Sequence, residues 1–115
     1  MSRRRRKLVS DWPKYLLKNI PEPERRCLSG TAAAQNISVS DVVRSVLCER
    51  YRLVCPPESY SYASARDTCA TTLLLRLQPR LAQRIEREAA RTGKTKRRII
   101  LETITSHYRK EGTLA

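Results

Sequence analysis
The chain has 115 residues, of which 24 are Lys or Arg and 11 are Asp or Glu, for a formal net charge of +13. That length suits one compact domain or two very small ones, and that charge predicts a polyanionic partner, nucleic acid first and an acidic membrane surface second. A hydrophobic content of 40% argues against a wholly disordered chain, a single His argues against His-based metal or catalytic sites, and no apolar run nears the roughly 20 residues of a membrane span.

The chain opens with a basic arm, residues 1–13, in which Arg3, Arg4, Arg5, Arg6 and Lys7 are consecutive. No apolar stretch follows these cations, so no secretory signal is expected and the four cysteines are expected to be reduced thiols in a cytoplasm. A first unit spans 14–52. Its apolar segment 15–20 is predicted to be a strand, Pro21 and Pro23 to open a helix with Leu28, Ala32 and Ala33 on its apolar face, and Asn36 to end that helix in the left-handed region. Ser38 is a predicted N-cap, and Val42, Val43, Val46, Leu47 and Tyr51 mark the buried stripe of a second helix. Residues 53–71, with Cys55-Pro56-Pro57 and a Ser/Tyr run, have neither helical nor strand period and read as a linker.

A second unit, 72–110, repeats this order. Segment 72–77 reads as a strand, Pro79 opens a helix striped by Leu81, Ile85 and Ala89, and Gly93 ends it. Thr95 then caps a helix with Ile99, Ile100, Thr103, Ile104 and Tyr108 on its buried side, and 111–115 form a tail. A shift of 57 residues aligns 15–51 with 72–108 without a gap, and five of the 37 pairs are identical. The paired positions are those that punctuate structure, such as Asn36/Gly93, Ser38/Thr95 and Tyr51/Tyr108. The charge is uneven: +6 in 72–108 against +2 in 14–51.

One strand and two helices in so few residues cannot bury a core alone, and a lone strand needs a partner. The pattern of Thr72–Leu77, the Leu81/Ile85/Ala89 face, Gly93-Lys94-Thr95 and Ile100/Ile104/Tyr108 resembles the ribbon-helix-helix family of bacterial DNA-binding proteins, the MetJ/Arc type. The resemblance covers both units and implies a tandem, single-chain version. The fold would be mainly α with a two-stranded antiparallel ribbon, β-α-α twice over, the strands pairing within one chain or swapped between two. It further implies that the ribbon enters the DNA major groove.

Side chains on a ribbon alternate between faces. In the second strand Leu73, Leu75 and Leu77 are expected inside, leaving Thr72, Leu74 and Arg76 as base readers, with Arg76 suited to guanine O6/N7 and Leu74 to a thymine methyl. The 57-residue shift gives Tyr15, Leu17 and Asn19 as the outward set of the first strand. It also puts Lys18 inside, where burial would be costly, so either Lys18 reaches out at the ribbon end or this strand is one residue out of register. The family clamps phosphates at the starts of the second helices, which here are Ser38-Val39-Ser40 and Lys94-Thr95-Lys96-Arg97-Arg98. The arm Arg3–Lys7 would add further DNA contacts.

The residues predict no catalytic site, no metal and no cofactor, since the cysteines show no metal spacing and the five tyrosines have no catalytic cluster around them. The partner expected is double-stranded DNA, with self-assembly on it, and the role a transcriptional repressor or a plasmid or phage DNA-processing accessory factor. Two rival readings remain: an antitoxin-like module that binds a protein through 52–71 or 109–115, and a basic protein that binds RNA or nucleoid without sequence preference.

Overall fold
Prolines and left-handed residues set the boundaries of the elements. In the computed structural model, which describes residues 12–54 and 71–114, the chain runs β1 (Lys14–Leu17), α1 (Glu22–Gln35), α2 (Val39–Tyr51), β2 (Leu73–Arg76), α3 (Pro79–Thr92) and α4 (Lys96–Lys110). Pro23 lies in the first turn of α1 and Pro79 in that of α3, where a missing N–H breaks no intrahelical bond. Asn36 (φ 54°) and Gly93 (φ 75°) end these helices in the left-handed region. The Ser38 hydroxyl accepts from the Asp41 amide and the Thr95 hydroxyl from the Arg98 amide, both at 3.2 Å, which fixes the starts of α2 and α4.

The two strands pair antiparallel within the chain, with Lys14 opposite Arg76, Tyr15 opposite Leu75, Leu16 opposite Leu74 and Leu17 opposite Leu73. Pairing extends at one end, where the Leu77 amide donates to the Pro13 carbonyl at 3.0 Å. Under this ribbon lies one core drawn from both units. Leu17, Leu28, Val43 and Leu47 from the first pack with Leu75, Leu81, Ile85, Ile99, Ile100 and Ile104 from the second. Helix α2 packs on α4, and each also packs on the first helix of its own unit. The predicted stripe Ile99, Ile100, Thr103, Ile104 and Tyr108 is buried throughout. Tyr51 is half-buried and donates to Glu88, and Ala33, expected on an apolar face, is exposed.

The first strand departs from expectation. Leu17 has 0% exposure and Leu16 47%, so Tyr15 and Leu17 face inward and Lys14 and Leu16 outward. The 57-residue shift holds through all four helices but not through the strands. There the counterparts by burial are Leu16 with Leu74 and Leu17 with Leu75, a shift of 58. The extra residue lies between Leu17 and Ile20, and Asn19 at φ 54° absorbs it. Beyond it the Ile20 amide bonds the Thr71 carbonyl at 2.9 Å, one residue out of the strand register, and Ile20 returns to the core. Lys18 is therefore exposed, and the buried-lysine problem does not arise.

Candidate nucleic-acid interface
The outward face of the ribbon is apolar at its centre and cationic at its margins. Leu16 and Leu74 lie directly opposite each other and are 47% and 46% exposed. The two side chains form a small apolar patch at the middle of this face. Lys14 opposes half-buried Arg76 at one end, and exposed Lys18 and Thr72 lie at the other.

The starts of α2 and α4 are tied crosswise to this ribbon. Ser40, second residue of α2, donates its hydroxyl to the Leu74 carbonyl of the opposite unit at 3.0 Å. Arg97, its counterpart in α4, donates to the carbonyls of Lys18 and Asn19, both at 2.9 Å. One link bonds a carbonyl of β2 and the other two carbonyls just past β1, and each holds a helix start beside the ribbon. The amides of Val39 and Ser40, and of Lys96 and Arg97, precede the first intrahelical bond of their helices. The positive ends of two helix dipoles thus flank the ribbon.

The helix starts differ in charge. At α4, Lys96 reaches Glu86 at 3.1 Å, while Lys94 and Arg98 both reach Glu102 at 2.9 Å. These pairs are exposed and contribute little to stability, so an external phosphate can replace the carboxylate. The two cations hold the Glu102 carboxyl below the usual carboxylate range by hydrogen bonding to it. At α2, Val39 is buried, and Asp41 is buried against the guanidinium of Arg44. Arg44 is 1% exposed, stacks 5.2 Å from the Trp12 ring and donates to the Arg76 carbonyl at 3.1 Å. Trp12 is thereby fixed where the chain enters the ribbon.

Of the residues expected to read bases, Thr72, Leu74 and Arg76 share the outward face, whereas Tyr15 and Leu17 lie on the inner one. Asn19 is exposed but past the strand, with its carbonyl held by Arg97. Lys14 and Leu16 take the outward places in the first strand. The clue in the sequence was Lys18, which the 57-residue shift placed inside and for which a slipped register was one of two solutions. The basic arm Arg3–Lys7 and residues 55–70, with Cys55 and Cys69, lie outside the described residues. Cys27 and Cys48 are buried free thiols, and burial raises the Cys27 pKa, with Glu24 and Glu111 adding to the effect. Among the described residues no three His, Cys, Asp or Glu side chains cluster to hold a metal, and no helix is long and apolar enough to cross a membrane.

Comparison with protein-family models, with curated proteins and with solved structures returned no match.

Proposed function
We propose that the chain is a nucleic-acid-binding protein whose contact element is the two-stranded ribbon. In particular, it is a tandem ribbon-helix-helix protein that binds double-stranded DNA with sequence preference through the major groove. The supporting observation is the exposed Leu16–Leu74 pair, edged by Lys14, Lys18 and Arg76 and flanked by two helix starts. A two-stranded ribbon fits the width of the major groove, where Arg can pair with guanine and leucine can meet thymine methyls. Phosphate contacts then fall to the helix starts, and most strongly to Lys94, Lys96 and Arg98 at α4. The biological role that follows is repression or DNA-processing assistance.

Selection from a random duplex pool at several salt concentrations tests this. Enrichment of a defined, non-palindromic site is expected, because the strands present different outward residues. Arg76→Ala should relax preference at one base pair by roughly 1–3 kcal/mol. Lys96→Ala should weaken all sequences alike and lower the salt slope by about 1. Recovery of no motif, with equal binding to every duplex, would overturn sequence readout.

A further inference from the structure
Helix α3 carries a second basic surface, separate from the ribbon. Arg80, Arg84, Arg87 and Arg91 are all exposed and follow one another at spacings of four, three and four residues. At about 100° per residue they fall within about 60° of one line, a ridge about 16 Å long on a rise of 1.5 Å per residue. Of the two acids of α3, Glu86 lies off this line and pairs with Lys96, whereas Glu88, four residues after Arg84, borders it and is engaged by Arg50 and Tyr51. Among the described residues none of the four arginines has a carboxylate partner, and Arg84 alone has an aromatic contact, 5.6 Å from the Tyr51 ring.

Like charges three and four residues apart on a helix repel, so the ridge burdens the helix that carries it. Nor does the fold require arginines there. The counterparts on α1, 57 residues earlier, are Pro23, Cys27, Gly30 and Ala34, which carry no charge. Guanidinium groups are planar forks that match phosphate oxygens, and a row of them at helical spacing suits a row of phosphates.

We infer that the α3 ridge is a second binding site for the phosphate backbone of nucleic acid. It engages either the flank of the duplex held by the ribbon or a separate duplex. It rests on the proposed function only for the identity of the polyanion.

The test uses the full chain with Arg80→Gln, Arg87→Gln and Arg91→Gln together, sparing Arg84 for its contact with Tyr51. Affinity for short (16 bp) and long (40 bp) duplexes is measured against salt, with helical circular dichroism as the folding check. The triple change should make the log–log salt slope shallower by about 2–3 and weaken binding about tenfold or more, while the three Lys replacements keep the slope. If the triple change unfolds the chain, Arg87→Gln alone should still shift the slope by about 1. Loss on the short duplex assigns the ridge to the same DNA as the ribbon. Loss only of a second, differently labelled duplex from the complex assigns it to separate DNA. An unchanged slope at both lengths overturns the ridge and leaves the ribbon reading intact. A ridge-dependent slope without any sequence preference overturns the ribbon reading and leaves the ridge standing.

Discussion

In the first unit position 44 is an arginine sealed under the ribbon, held by Asp41, stacked on Trp12 and bonded to the Arg76 carbonyl. In the second unit the same position is Leu101, a half-buried hydrocarbon against the core. The charges are displaced in opposite directions. The first unit buries Asp41 and Arg44, whereas the second keeps Lys94, Lys96 and Arg98 at the surface and adds the arginines of α3. One half of the molecule thus encloses part of its charge and the other displays it. A repeated backbone plan tolerates this because the apolar stripes that join the halves occupy equivalent places in both.

The largest effect should come from breaking the buried pair. Asp41→Ala would take a carboxylate away from the buried Arg44 guanidinium and should cost about 3–5 kcal/mol in denaturant unfolding. Arg44→Leu combined with Asp41→Asn imports the hydrocarbon of the second unit and should cost much less. A double change as harmful as the single one would show that the halves do not tolerate each other's chemistry.

Next is the connection that sets the strands apart. Asn19→Val forces a β-branched residue to φ 54° and should cost roughly 1–2 kcal/mol, while Asn19→Gly should leave the unfolding midpoint unchanged or slightly raised. Equal effects of the two substitutions would remove the left-handed residue as the cause of the register change.

A smaller effect concerns what the two strands share. Replacing thymine by uracil at single positions of a selected site removes one methyl group. Opposite Leu16 or Leu74 this should weaken binding by about 0.8 kcal/mol, the scale of one buried methylene. It should do nothing opposite Lys14 or Arg76. A uniform response along the site would separate the leucine pair from base contact.

The smallest is electrostatic. Because Glu102 titrates below the usual carboxylate range when folded, its contribution to stability is present above the ordinary carboxylate pKa. That contribution is lost as pH falls through the depressed one. Carboxyl chemical shifts followed by acid titration should place Glu102 below the usual carboxylate range. Lys94→Ala with Arg98→Ala should return it to the usual range.

Much of the fold was legible because caps and stripes are local signals. Pro79, Gly93, Thr95 and the Ile99–Tyr108 stripe each carry a backbone or burial requirement that one residue states on its own. The first strand was not, since an ungapped shift of 57 residues cannot reveal one inserted residue, and adjacent Leu16 and Leu17 satisfy either register. Nothing in the sequence marked Asp41 and Arg44 as a buried pair. Only the third dimension brings Trp12 and the end of β2 over them. Thr72, Leu74 and Arg76 were readable as an outward set because alternation with Leu73, Leu75 and Leu77 leaves one solution.

Both strands of the ribbon belong to one polypeptide. Their encounter is unimolecular, with an effective concentration set by the intervening chain rather than by the abundance of the protein. A ribbon shared by two separate chains would come apart on dilution and could exchange partners with related chains. This one keeps its composition at any copy number, and a mutation in one strand is never duplicated in the other. The outward residues of each strand are therefore free to change alone.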